Sequence, residues 1–335
     1  MMKKRVLVTG AAGFIGSHVA DHCLRHGMEV VAVDNLSGGF RDNVPAQAEF
    51  IRGDVRETRF VADLWTKGRF DYVYHLAAYA AEGLSHFIRH FNYENNLCGS
   101  INLLNQSVLH NVERFIFTSS IAVYGRGQIP MTEELVPAPE DPYGIAKYAF
   151  ELDLKCAHEM FGLEYVIFRP HNVYGERQNI ADKYRNVVGI FMNQVMKGEE
   201  MSVFGDGMQR RAFSHIDDVA SVIARSPLVD AARGQTFNVG ADVPYTILEL
   251  GREIAGAFGQ AARMRHLPAR NEVVDAFADH SKLRSVFGEI KGVELADGIR
   301  RMAGWARAVG PRSPVEFNDI ELTKNLPPSW QPLAK

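Results

Sequence analysis

The sequence predicts an α/β fold: a doubly wound parallel sheet with a smaller C-terminal α/β region packed beside it. Three observations lead there. Short runs rich in Val, Ile, Phe and Tyr alternate with longer helical patterns through the first half. The first of these runs meets a glycine-rich turn that opens a helix. Several runs also lack the apolar–polar alternation of a half-exposed strand, as strands buried on both faces do.

Taken in order, strands are expected at residues 5–9, 29–34, 49–53, 71–76, 114–119 and 164–169, with helices at 15–26, 60–67, 91–110 and 143–161. Strand–helix–strand units of this length join parallel strands through right-handed crossovers. After about Gly175 the rhythm shortens. Residues 177–185 are polar, 205–207 form a turn, and Pro227, Pro244 and Pro268 punctuate smaller elements. The expected division is a first unit over 1–174, with part of 212–242 returning to it, and a second region over 175–310. The last 25 residues, from Pro311, hold five prolines and little periodicity, and read as a surface tail.

Composition narrows the class. With 335 residues, 46% hydrophobic and 23% charged, the chain has the make-up of a soluble globular protein. A formal net charge of −3 gives no electrostatic case for nucleic acid or an anionic membrane. Cys23, Cys98 and Cys156 are odd in number and widely spaced, which fits reduced thiols better than a disulfide framework. No apolar stretch approaches the ~20 residues of a membrane-spanning helix. The basic start, Lys3-Lys4-Arg5, leads into a run too short for a signal-peptide core. A cytoplasmic protein is expected.

The first strand runs into Gly10-Ala11-Ala12-Gly13-Phe14-Ile15-Gly16. Gly10 permits the tight turn, Gly13 lets backbone approach a pyrophosphate, and Gly16 lets helix pack on strand. The helix N-terminus then offers free N–H groups to phosphate oxygens. Three glycines alone also make an ordinary tight turn, so the context decides. The second strand ends at Asp34-Asn35, about 18 residues past Gly16, where a carboxylate can accept both ribose hydroxyl protons. It would also repel a 2′-phosphate, so NAD is expected over NADP. Asp54-Val55 follows the third strand, as an acid for the adenine edge, and Leu76-Ala77-Ala78 close the fourth with small side chains. Together these residues predict a Rossmann-type site.

Tyr143 and Lys147, four apart on an expected helix, share one face. An ammonium beside a phenol favours the phenolate, moving a pKa near ~10 toward the range of a working base. The fifth strand ends in Ser119-Ser120, and a serine there can hydrogen-bond a substrate oxygen beside the tyrosine. Ser120, Tyr143 and Lys147 are the expected catalytic residues.

Here the sequence resembles the extended short-chain dehydrogenases that act on nucleotide sugars. The shared motifs are TGAAGFIGSH, GDV, HLAA, NYENN, TSSIAVYG, YGIAK, FRPHNVYG, VFGDGMQRRAF and FNVG, spread from residue 4 to about 282 in family order. The resemblance implies that Ser120 and Tyr143 flank the sugar C4 hydroxyl, with Tyr143 as base and Lys147 on the nicotinamide ribose. It also implies that Asn95 lies near the cofactor diphosphate and that Pro170 and Ser119 complete the cofactor contacts. Asn172, Asn186 and Val187 would line the nucleotide-sugar site, and Arg211 and Arg270 would clamp its diphosphate with forked donors. Ser85, with Glu82 and His171, would reach the sugar. By the same resemblance, helices 91–110 and 143–161 would pair two copies as a homodimer.

Relatives of this type divide by what precedes Val-Tyr-Gly after the fifth strand. Dehydratases carry Asp-Glu there and uronate decarboxylases a Glu, whereas this chain has Ile121-Ala122. With no acid at either position, NAD-dependent 4-epimerisation of a UDP-sugar leads, and a decarboxylase or dehydratase using Glu82 follows. A non-catalytic NAD-binding module is a third reading, against which the presence of Tyr143 and Lys147 counts. Ala80, Pro170, Ala212 and Asn271-Glu272 depart from the pattern of UDP-galactose epimerases, which leaves glucose/galactose, glucuronate/galacturonate and N-acetylated sugars all open. His22/His26 and His86/His90 have helical i,i+4 spacing but no further ligand nearby, and no metal site is expected.

Overall fold

In a computed structural model the described residues are 3–182, 184–269, 273–313, 317, 319–327 and 330. The first strand, β1 (Arg5–Thr9), buries Val6, Leu7 and Val8 completely and passes through the glycine turn into α1 (Phe14–Arg25). There follow β2 (Glu29–Asp34), β3 (Glu49–Arg52), α2 (Thr58–Thr66) and β4 (Tyr72–His75). Next come two short helices, α3 (Glu82–Ser85) and α4 (Arg89–Tyr93). The chain continues with α5 (Gly99–Leu109), β5 (Arg114–Thr118), α6 (Pro142–Phe161) and β6 (Tyr165–Pro170). The expected strands are present, with ends displaced by a residue or two.

The helix expected over 91–110 starts earlier and is not uniform. Between α4 and α5 the turn Glu94–Cys98 widens to a π-helix. That turn carries Asn96, whose carbonyl oxygen accepts from Tyr79 N at 2.8 Å while its amide donates to Tyr79 O at 3.1 Å. A π-turn of this kind marks a site where side-chain placement outweighs regular geometry.

The second half holds β7 (Val173–Tyr174), α7 (Val187–Met196), β8 (Met201–Phe204), β9 (Arg210–Ala212), β10 (Ser214–His215) and α8 (Ile216–Arg225). After them come β11 (Gln235–Val239), β12 (Pro244–Thr246), α9 (Ile247–Ala257), β13 (Met264–Leu267), β14 (Asp275–Ala276), α10 (Ser281–Phe287) and α11 (Leu295–Val309).

The main sheet has seven strands in the order β11-β6-β5-β4-β1-β2-β3, every pair parallel. Strand order reverses at β1, which places a crevice at its carboxyl end, between the loops that leave β2 and β4. One face is covered through Val19, Ala20, Val219, Ile223 and Phe287, the other through Val61, Leu103, Phe150 and Leu154. The α8, β11 and α10 elements therefore belong to the first unit although they follow residue 175. The remaining elements form a separate core, in which Phe191, Leu250, Ile254, Ile299 and Met302 are buried.

The C-terminal segment is not a free surface tail. Leu326 and Trp330 are buried against Ala81, Leu84 and Ile88, and Phe317 packs on Tyr79 and Phe91. An extended segment can anchor by single large side chains, and such anchors leave no periodic signature in a sequence.

Candidate active site

The helix that carries the phenol and the ammonium is set by its own first turn. Asp141 accepts from Gly144 N at 2.9 Å and Pro142 fills the first helical position. Its amide oxygen held by Asn92 at 2.8 Å, Pro142 ties this start to α4. Tyr143 thus lies in the first turn of α6, and Lys147 one turn later on the same side. At the end of β5, Ser120 accepts from Ala122 N at 3.1 Å, and its hydroxyl acts on the Tyr143 phenol to lower its pKa.

All three side chains are buried and line one cleft at the carboxyl end of β1. The same cleft is lined by Gly10, Gly13, Phe14, Ile15 and Gly16 of the first turn, by Asp34 and Asn35, and by Asp54 and Val55. Leu76, Ala77, Ala78, Asn95, Ser119 and Pro170 also line it, as do Asn172, Asn186 and Val187. Residues far apart in sequence are therefore gathered as expected.

Three others are not. Ser85 lies outside the cleft, its hydroxyl donating to Glu82 O at 2.6 Å and to Asp141. Arg211 also lies outside it, donating to the backbone oxygens of Arg210, Val273 and Val274. His171 is buried beneath the cleft, 3.0 Å from Ala212 O and 3.0 Å from the His280 ring nitrogen. Burial and the His280 ring push its pKa down to about 3, so it is neutral and structural. Arg270 falls outside the described residues.

The cleft suits a dinucleotide on its own geometry. A Cβ on Gly16 would lie 2.0 Å from Gly10 O, and one on Gly10 would lie 2.7 Å from Ala77 N. Neither position tolerates a side chain, so bare backbone faces the cleft. Asp34 accepts from Ala12 N at 3.0 Å and from Leu36 N at 2.7 Å, which fixes its carboxylate at the end of β2. Burial raises its pKa, with those backbone donors opposing. Burial also works against the Asp54 charge, yet bonds from Arg56 and Asn35 hold this carboxyl down at about 2. Thr118 Oγ1, on the cleft wall, is buried with no partner among the described residues. A buried hydroxyl without a partner is costly unless a ligand supplies one.

The phenol corrects one expectation. Its pKa stands above the ordinary 10.0, because burial and the Glu82 carboxylate outweigh the Ser120 hydrogen bond. The Lys147 Nζ is 5.8 Å from the Tyr143 ring centre and donates to Thr118 O at 2.8 Å. Burial pushes its pKa down to about 7, opposed by the Glu151 charge. Desolvation therefore outweighs the charge pairing that the spacing implied.

Behind these groups is a buried network that the sequence reading passed over. Arg169 donates to Glu151 through Nε at 2.9 Å and Nη2 at 2.5 Å, and through Nη1 to the Tyr124 hydroxyl at 2.8 Å. Ser119 spends its hydroxyl on Glu151 at 2.6 Å, so it meets the cleft with the rest of its surface. Residues 143, 147 and 151 recur every fourth position along α6, a signal that could have marked Glu151.

Known proteins resemble this chain in sequence and in fold. The profile of the NAD dependent epimerase/dehydratase family matches residues 6–240. A putative UDP-glucose 4-epimerase of Methanocaldococcus jannaschii is 32% identical over 308 residues, covering 90% of this chain and 98% of that one. Among solved structures, UDP-glucose 4-epimerase of Thermotoga maritima with UDP-glucose has a TM-score of 0.85 at 32% identity, covering 91% and 99% of the two chains. The enzyme of the same name from Thermus thermophilus, in complex with NAD, has a TM-score of 0.84 at 33% identity, covering 90% and 99%.

Proposed function

Because the chain belongs to the NAD-dependent epimerase/dehydratase family, we propose that it interconverts the C4 epimers of a nucleotide sugar, a UDP-hexose or UDP-hexuronate, through a transient 4-keto sugar. The observation that carries this reading is the set Ser120, Tyr143 and Lys147 on one cleft wall, with Ile121 and Ala122 beside it. Epimerisation needs one base and one reversible hydride acceptor, and no separate acid to expel a leaving group.

NAD, when bound, supplies the acceptor that takes and returns the C4 hydride, and the positive charge beside the phenol. The glycine turn would hold its diphosphate, Asp34 its adenosine ribose, Asp54 and Val55 its adenine end, and Lys147 its nicotinamide ribose. Tyr143 removes the C4 hydroxyl proton and later returns it. Ser120, on the same cleft wall as the phenol, would hold the C4 oxygen in reach of that proton. Asn172, Asn186 and Val187 would line the nucleotide-sugar side, leaving the sugar room to present its other face.

Glu82 supports a second reading. It lines the cleft, and its charge acts on Tyr143, so it is placed to serve as the acid of a dehydratase or decarboxylase. One experiment separates the two. The purified enzyme is incubated with UDP-glucose, UDP-glucuronate and UDP-N-acetylglucosamine, and each is followed by proton NMR and mass. A C4 epimer of unchanged mass is expected from one of them. Loss of water or carbon dioxide would replace epimerisation with the second reading.

A homodimer is part of the proposal. Ile145, Leu152 and Met160 are exposed on α6 together with Cys156, and their spacing puts all four on one stripe opposite Tyr143 and Lys147. Light scattering should give twice the chain mass of 37.4 kDa, and Leu152→Glu should halve it. A wild-type protein that stays monomeric at micromolar concentration would remove the dimer.

A further inference from the structure

Arg177, Gln178, Asn179, Asp182, Arg185 and Asn186 line the same cleft as the glycine turn, and we propose that Arg185 closes the cleft over the bound dinucleotide and donates to the cofactor's diphosphate. This rests on NAD as the cofactor and not on which sugar is epimerised.

Position carries most of the case. In the sheet, β1 lies between β4 and β2. The Arg185 guanidinium carbon is 4.7 Å from the centre of the Tyr79 ring, which follows β4. Its Nη2 is 3.4 Å from where a Cβ on Gly38 would stand, in the loop that follows β2. The side chain therefore spans the carboxyl end of β1, where Gly10, Gly13 and Gly16 leave backbone bare. A diphosphate in that cradle would lie beneath a guanidinium.

The residue is also held for the task. Asp182 accepts from Arg185 Nε at 2.6 Å and pairs with Nη2 at 2.5 Å. Its other oxygen accepts from the backbone N of Tyr184 and Arg185. With one edge of the fork engaged and the plane against an aromatic face, little rotational freedom remains to be lost on binding. Nη1 makes no hydrogen bond to a described residue. The segment 177–186 is anchored at its start, where Arg177 pairs with Asp21 at 2.6 Å and donates to Ser17 O and Asn43 O. Near its end, Tyr184 packs on Trp330, so the C-terminal segment supports the same wall. An enzyme that restores its NAD at every turnover has a use for such a clasp.

The test is cofactor retention by the purified full-length enzyme. NAD content is measured after gel filtration, and dissociation of NAD is followed by fluorescence. Arg185→Ala is expected to release NAD about tenfold faster or more, the size of one charge-assisted hydrogen bond lost. Melting of the NAD-free protein should be unchanged, and Arg185→Lys should restore part of the retention. UDP binding to the NAD-loaded variant is measured in parallel, since a nucleotide sugar also carries a diphosphate. Wild-type dissociation rates in Arg185→Ala would overturn the proposal, whether UDP affinity fell or not. Wild-type protein that neither carries nor binds NAD would instead overturn the cofactor reading beneath it.

Discussion

Replacing Tyr143 by Phe is expected to lower kcat by about 10²–10⁴-fold, the usual worth of a positioned acid–base group, while bound NAD stays in place. The substitution removes one oxygen from a ring that is otherwise buried in the cleft wall. Packing is kept, so melting temperature and NAD content should match the wild type. Burial and the Glu82 charge push the phenol's pKa up, against the effect of Ser120. Unchanged kcat in Tyr143→Phe would show that another group removes the C4 proton.

The second large effect is on stability. Glu151→Gln should cost about 3–5 kcal/mol, because it leaves the Arg169 charge buried without its counter-ion. Both side chains are almost wholly enclosed, Glu151 at 0% and Arg169 at 3% exposure, so water cannot take over the lost partner. The same substitution removes the charge that holds the Lys147 pKa up against burial. Folded Lys147 titrates at about 7 against an ordinary 10.5, so across that window the unfolded chain binds more protons. This residue therefore makes the protein more stable as pH rises from about 7 toward 10.5, and costs it stability below 7. In Glu151→Gln the lower edge of that window should move further toward acid. Urea unfolding at a series of pH values tests both points. A variant as stable as wild type would mean the Arg169–Glu151 pair is dispensable.

Much of the fold could be read from the chain because its strands are buried on both faces and its glycines sit where only glycine fits. Gly10 and Gly16 illustrate this, since a Cβ at either would strike backbone. Most of the cofactor wall was legible for the same reason: Asp34, Asp54, Leu76 and Ser119 end or follow strands, and strand ends are well marked. Side-chain direction was not. Ser85 and His171 sit beside cleft residues in sequence, yet their polar atoms are taken by Glu82 O, Ala212 O and His280. Arg211 is likewise drawn to the 273–274 backbone. Spacing reports which residues are neighbours, not which partner wins each hydrogen bond. The sign of the Tyr143 shift was missed because a spacing of four shows the ammonium but not the depth at which both groups are buried. The C-terminal anchors Leu326 and Trp330 gave no periodic signal at all.

The central claim is that one hydrogen leaves C4 and returns to the same carbon without meeting solvent. It is tested most directly with a substrate deuterated at C4, turned over in ordinary water and read by mass and NMR. The account expects the C4 epimer with its deuterium fully retained. A product that has lost the label, or an epimer formed with solvent hydrogen at C4, would contradict it.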